Sequence, residues 1–87
     1  MTTTAQHEVA DDDWTEVADG SARVIVQLIS NGVVGIAAGA TAPEGDYWSG
    51  IILRTKFMAL PLYDLGASDK VFVRGANGSE IVNVIAT

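Results

Sequence analysis

The chain has 87 residues, a net charge of −6 and no cysteine. A domain of about this size buries only about 60% of the surface that its unfolded chain exposes, so we expect one thin core that association with other chains helps to stabilise. The composition excludes disulfides and thiolate metal sites, and the lack of a Lys/Arg cluster argues against nucleic-acid binding. Neither a signal-peptide pattern nor an apolar run of bilayer length is present, so we expect no exported or membrane-bound protein.

All of the net charge lies at the beginning of the chain. Residues 1–20 contain six acidic side chains and no Lys or Arg, whereas residues 21–87 carry five charges of each sign. Residues 1–13 are polar without apolar periodicity, which is typical of a flexible segment. We therefore predict that residues 1–13 form an extended arm that docks on another chain, and that residues 14–87 form the folded domain. The acidic residues assigned to docking are Glu8, Asp11, Asp12 and Asp13.

From Trp14 onward the pattern is that of β-structure. Runs rich in Val, Ile, Phe and Tyr alternate with clusters of Gly, Asn, Asp and Ser, which favours an all-β fold, a small antiparallel β-sandwich or barrel. Seven short strands are predicted, near residues 14–18, 22–29, 33–39, 50–54, 57–64, 70–75 and 79–86. Residues 41–46 are predicted to form an exposed loop. Pro61 indicates an edge strand or a bulge, because proline has no N–H for a ladder.

Two Asn-Gly pairs, Asn31-Gly32 and Asn77-Gly78, each separate two β-like runs. Asn-Gly tolerates the positive φ angles that type I′ turns require. The pairs therefore predict two hairpins, over residues 22–39 and 70–86.

The alternation of side chains along the strands indicates which residues face the core. It predicts that seven residues face the core: Val24, Val26, Leu28, Val71, Val73, Val82 and Val84. It leaves four large apolar residues on the outer faces: Ile25, Phe72, Ile81 and Ile85. Because soluble monomers rarely expose large apolar patches, we predict that these four residues form a contact between identical subunits. Two alternatives stay open: the monomer covers both faces itself, or the true register differs by one residue.

The sequence offers few groups for catalysis. His7 is the only histidine and lies in the polar segment, so neither a Ser-His-Asp arrangement nor a histidine metal site can be assembled. The run Asp11-Asp12-Asp13 lacks the alternation, Gly and terminal Glu of a calcium-binding loop. We expect no enzyme, no catalytic residue, no metal and no cofactor.

One loop carries residues suited to ligand binding. Asp46, Tyr47 and Trp48 follow Pro43, and exposed aromatic rings stack on sugar rings or on partner chains. These residues indicate an alternative function, a carbohydrate- or receptor-binding module. The competing interpretation is that Trp48 covers an open end of the sandwich.

A set of segments across residues 14–86 resembles a known class of protein. The segments are Trp14-Thr-Glu-Val-Ala-Asp-Gly20, Val33–Ala40 leading into Ala42-Pro43, Gly50-Ile-Ile-Leu53, Leu60-Pro-Leu62 and Gly66–Arg74. Together they are similar to small β-sandwich proteins encoded among the virion structural genes of tailed bacteriophages. The resemblance implies a homo-oligomer, with a trimer expected, that serves as a capsid decoration or cement protein or as part of a head fibre or tail. It implies synthesis in the cytoplasm of a bacterial host, other virion proteins as partners, and no catalytic residues.

Overall fold

A computed structural model describes residues 2–87 as two antiparallel four-stranded sheets packed face to face. The strands are β1 (Thr3–Val9), β2 (Thr15–Asp19), β3 (Val24–Leu28), β4 (Val34–Gly39), β5 (Ile51–Leu53), β6 (Ala59–Leu62), β7 (Lys70–Gly75) and β8 (Glu80–Ala86). One turn of 3₁₀-helix, Tyr47–Ser49, precedes β5. The predicted antiparallel β-sandwich is confirmed, and the seven predicted strands correspond to β2 through β8.

The strand order makes this sandwich a jelly roll. Sheet A has the order β1-β8-β3-β6 and sheet B has the order β2-β7-β4-β5. The chain passes from one sheet to the other at every connection except the one between β4 and β5. Two sheets of four strands linked in this way form the double Greek key of a jelly roll. Strand β6, which contains Pro61, is an edge of sheet A, as its proline predicts.

The core lies between the sheets and is built from the inner side chains of both. The seven side chains predicted to face inward are at most 3% exposed. Val9, Val34, Ile36 and Leu53 complete this core from β1, β4 and β5. The alternation predicted from the sequence therefore has the correct register, and a displacement by one residue is ruled out.

Both hairpin predictions are wrong. Asn31-Gly32 joins β3 in sheet A to β4 in sheet B, and Asn77-Gly78 joins β7 in sheet B to β8 in sheet A. Among these four residues only Gly78 has a positive φ, of 88°, whereas a type I′ turn needs positive φ at both central positions. Each turn therefore reverses the chain from one sheet to the other, across the core, and not within one sheet.

The prediction that residues 1–13 form an arm outside the domain is also wrong for residues 3–9. Strand β1 pairs with β8 along its whole length, from Thr3 opposite Ala86 to Val9 opposite Glu80. Val9 is fully buried. Main-chain hydrogen bonds hold a polar strand as well as an apolar one, so the side-chain composition of this segment does not reveal the strand. Met1 lies outside the described residues.

Candidate interaction surfaces

The outer face of sheet B is covered by the chain itself. The cover loop, residues 40–50, folds across this face and includes the 3₁₀-turn. It lies directly over Gly35 of β4, where the carbonyl oxygen of Tyr47 occupies the space that a Cβ atom would need. Trp14 Nε1 and Arg74 Nη1 both donate to the carbonyl oxygen of Gly45, at 3.1 and 3.0 Å. The loop is therefore fixed to β4, to β7 and to the start of β2.

Phe72 lies on this covered face and is only 7% exposed. Its register neighbours are Ala37 on β4 and Glu16 on β2. The prediction that Phe72 forms an exposed subunit contact is wrong, although the alternation correctly directed it away from the core between the sheets. The cover loop crosses this face, and the local pattern of β7 gives no sign of that loop. For sheet B the monomer covers its own outer face.

The outer face of sheet A remains uncovered by the described residues. The pairing of its four strands sets two rows of side chains side by side: Thr4, Ile85, Ile25 and Pro61 in one row, and Gln6, Asn83, Gln27 and Ala59 in the next. None of these eight residues is charged. The two rows enclose a shallow depression of about 220 Å³ lined by Thr4, Ile25, Gln27, Ala59, Asn83 and Ile85.

Three of the four predicted contact residues lie together on this face. Ile25 and Ile85 are neighbours in one row, and Ile81 lies opposite Glu8 further along β8. Ile85 is 39% exposed, and Ile25 and Ile81 are half-buried. The face therefore combines branched apolar side chains with an adjoining row of amides.

The amide row keeps hydrogen-bonding capacity for a partner. Gln6 Nε2 donates to Asn83 Oδ1 at 3.4 Å, and Gln27 Nε2 donates to the carbonyl oxygen of Phe57 at 3.2 Å. Each primary amide has two donors and an acceptor with two lone pairs, so these contacts leave further groups directed at solvent. Apolar and neutral polar groups side by side are the composition of a protein contact surface.

The acidic residues predicted for docking are distributed along one edge of the domain. Glu8 is exposed on β1, and the link from β1 to β2 carries the other three. Asp11 Oδ2 accepts from the backbone N–H of Gly78 at 2.8 Å, and its carbonyl oxygen accepts from Arg74 Nε at 3.0 Å. Asp13 Oδ1 accepts from the N–H of Trp14 at 2.8 Å. The link is thus bound to its own domain, and Asp12 is exposed.

The predicted ligand loop forms the outer surface of the cover loop. Asp46 Oδ1 accepts from the N–H of Tyr47 at 2.7 Å and lies 3.6 Å from Arg74 Nε. The rings of Tyr47 and Trp48 pack edge to face with centroids 5.4 Å apart. Trp48 is 65% exposed, so it does not close an end of the sandwich. The three residues are brought together, with one aromatic ring open to solvent.

The sequence prediction missed an apolar groove on the open side of the sandwich. The groove has a volume of about 440 Å³ and is lined by Ile36, Ala37, Ala38, Ser49, Gly50, Ile51 and Leu62. It lies beside the start of β5, which begins only at Ile51, opposite Ile36, and so leaves the second half of β4 without a neighbour on that side. Ile51 is 55% exposed there. The shortness of β5 is the signal in the sequence, because Gly50 and Arg54 bound a strand too short to cover β4.

Among residues 2–87, no three His, Cys, Asp or Glu side chains lie close enough together to hold a metal ion. Over the same range, no helix is long and apolar enough to cross a membrane.

Comparison with known proteins supports the fold. Neither a protein-family model nor a curated protein matches the chain. Its structure is similar to the solution NMR structure of a de novo designed double-stranded β-helix, with a TM-score of 0.53 over 99% of this chain and 96% of that one. The two sequences are 16% identical, so the similarity concerns the arrangement of strands alone.

Proposed function

We propose that the chain is a non-enzymatic, homo-oligomeric structural protein of a tailed-phage virion, of the capsid decoration, cement, head-fibre or tail accessory type. The main support for this function is the partly apolar outer face of sheet A, whose two central rows are uncharged and which the described residues leave open while they cover sheet B. The sequence resemblance supplies the virion context. Jelly rolls recur in viral capsid domains but also in unrelated proteins, so the surface supports this function more than the fold does.

The energetics favour covering this face. Four strands about 4.8 Å apart, with four to seven residues each, present roughly 400 Å². If about half of that area is apolar, its burial contributes on the order of 5 kcal/mol per copy at about 25 cal/mol per Å². The whole folding stability of a small domain is about the same. Association through sheet A thus supplies the stabilisation that the thin core of a single copy lacks.

The acidic edge of the domain is suited to a basic shell protein. Glu8 and Asp12 are exposed there, and charge contacts of this kind weaken as ionic strength rises. Glu8→Lys with Asp12→Lys is expected to reduce cosedimentation with purified capsids and to flatten its salt dependence. Asp19→Lys, an exposed acid at the end of β2, serves as the charge-matched control. If the amount of bound protein changed neither with ionic strength nor with these substitutions, docking through the acidic edge would be contradicted.

The oligomer is tested by measuring the native mass of the wild type and of Ile25→Asp with Ile85→Asp. We expect the wild type to exceed the monomer mass and the double variant to fall to it, because two carboxylates then face the contact. Trp48→Asp, exposed on the other side of the sandwich, is the control and is expected to keep the wild-type mass. A monomeric wild type, or a double variant of unchanged mass, would contradict the function.

The virion assignment has its own test. The reading frame is expected to lie among head or tail genes, and mass spectrometry of the purified particles is expected to detect the protein. A protein absent from the particles, with a reading frame outside such genes, would overturn the virion role while leaving the oligomer untouched.

A carbohydrate- or receptor-binding module is the second candidate function. The observation in its favour is the exposed indole of Trp48 beside Tyr47, on a turn that Asp46 caps. A glycan array separates the two functions: binding that Trp48→Ala abolishes would support the module, and no binding by the wild type would exclude glycans as its ligands.

A further inference from the structure

Three of the four edge strands of the sandwich carry features that hinder pairing with a further strand. Strand β6 contains Pro61, β2 has a register shift between Glu16 and Ala18, and β5 has only three residues. Proline, bulges and short length are devices by which proteins protect exposed sheet edges. Strand β1 has none of them: it runs for seven residues without proline or lysine and pairs with β8 in unbroken register.

The free side of β1 presents a regular row of main-chain groups. Ile29 N donates to Ile81 O, and Thr87 N donates to Arg23 O, each at 2.9 Å. The odd-numbered residues of β8 therefore direct their main-chain groups to β3, and the even-numbered ones direct theirs to β1, because these groups alternate in direction along an antiparallel strand. Through the register of β1 with β8, the N–H and C=O groups of Thr4, Gln6 and Glu8 point away from the sheet.

We propose that β1 pairs antiparallel with β1 of a second copy, across a two-fold axis at Gln6. With this axis, Gln6 faces Gln6 of the second copy, and Thr4 faces Glu8 of the second copy. The Thr4–Glu8 pair occurs twice, once on each side of the axis, so there are three pairs in all. Each is of the hydrogen-bonded type, which gives six main-chain hydrogen bonds between the copies. Glu8, the one charged residue of the row, faces a threonine. Like charges directly opposite each other would destabilise the pairing, and this register avoids them. The strand is complementary to itself.

This pairing also enlarges the outer face of sheet A. It joins two four-stranded sheets into one sheet of eight strands and doubles the face from roughly 400 to roughly 800 Å². A specific protein contact buries about 800 Å² on each partner. A single copy thus offers about half of that area, and two copies joined through β1 offer the whole.

The pairing rests on the proposed function only in requiring a homo-oligomer. An isologous contact across a two-fold axis closes a dimer. With the trimer expected from the sequence, the same contact joins two trimers into a hexamer. The pairing therefore predicts an even number of copies.

Cysteine cross-linking tests the pairing, since the chain has no cysteine of its own. Residues in a hydrogen-bonded pair have Cα atoms about 5.5 Å apart, within the range that a disulfide spans. Gln6→Cys is expected to form covalent dimers on oxidation with diamide. Thr4→Cys alone is the matched control: the two copies of Thr4 lie about 14 Å apart in this dimer, so we expect at least tenfold slower cross-linking. A mixture of Thr4→Cys and Glu8→Cys proteins is expected to yield the mixed dimer.

The outcomes separate the pairing from the proposed function. If Gln6→Cys fails to cross-link, or cross-links no faster than Thr4→Cys, while the native mass still falls on Ile25→Asp with Ile85→Asp, the pairing is wrong and the face contact stands. If Gln6→Cys cross-links selectively while those aspartates leave the mass unchanged, the pairing holds and the face contact is wrong. A monomeric wild type without cross-linking would overturn both.

Discussion

The outer faces of the two sheets differ in what covers them, although both sheets have four antiparallel strands and share one core. Sheet B carries the buried Phe72 on the face that the cover loop crosses. That loop is also the one connection that begins and ends in the same sheet. Sheet A carries the exposed Ile85 and the half-buried Ile25 side by side on its outer face. The cover loop acts as a third layer over sheet B, and nothing equivalent lies within the described residues over sheet A. Apolar residues on the outer face of sheet B are therefore buried within the chain. Those on the outer face of sheet A are, as we propose, buried between chains.

The largest difference is expected between Phe72 and Ile85. Phe72→Ala removes a buried ring and is expected to lower the free energy of unfolding by about 3 to 5 kcal/mol. Ile85→Ala is expected to lower it by less than about 1 kcal/mol in the monomer, because its side chain is already partly in water. Urea denaturation of dilute protein measures both. Equal losses would show that the two faces are covered alike.

Gly35→Ala tests the cover loop without touching Phe72. The new methyl group would occupy the position of the Tyr47 carbonyl oxygen, so the loop must move outward, at an expected cost of about 2 kcal/mol. Gly66→Ala is the control, since its Cβ would meet only the carboxylate of Asp69 at 3.3 Å. We expect the control to change the stability by less than about 0.5 kcal/mol. If Gly35→Ala left the free energy of unfolding unchanged, the loop would not be packed against β4.

Arg74→Ala removes the polar fastening of the same loop. Its guanidinium donates to the carbonyl oxygens of Gly45 and Asp11, and the loss is expected to cost about 1 to 2 kcal/mol. The contact with the partly exposed Asp46 carboxylate adds little, because solvent screens it. Asp46→Asn is therefore expected to be milder than Arg74→Ala in the same denaturation experiment. A larger loss of stability for Asp46→Asn than for Arg74→Ala would mean that the ion pair, and not the hydrogen bonds to the carbonyl oxygens, holds the loop.

Trp48→Ala is expected to have the smallest effect. The indole is on the solvent side of the cover loop and is 65% exposed, so the free energy of unfolding should change by less than about 0.5 kcal/mol. A loss above about 1 kcal/mol would mean that Trp48 is part of the cover over sheet B.

The sequence predicts features that depend on neighbouring residues in the chain better than features that depend on distant ones. The inward valines of β3, β7 and β8 were predicted correctly because alternation is a property of each strand alone. Strand β1 was missed because its main-chain ladder to β8 leaves no trace in its polar side chains. The Asn-Gly pairs mark reversals of the chain but do not specify the sheet that the chain enters next.

The candidate surface was predicted in part for the same reason. Ile25, Ile81 and Ile85 share a face because β3 and β8 are neighbours, and their outward orientation was visible in the sequence. Phe72 has the same local pattern, but it is buried on the face of sheet B that the cover loop crosses. The cover loop belongs to a distant part of the chain, which the alternation along β7 does not encode.

The most direct test of the open face is hydroxyl-radical footprinting of the wild type at increasing protein concentration. We predict that the reactivity of Ile25, Ile81 and Ile85 falls as the oligomer forms, while Trp48 stays as reactive as in the monomer. Isoleucines whose reactivity is constant at every concentration, or protection confined to Trp48, would contradict assembly through sheet A.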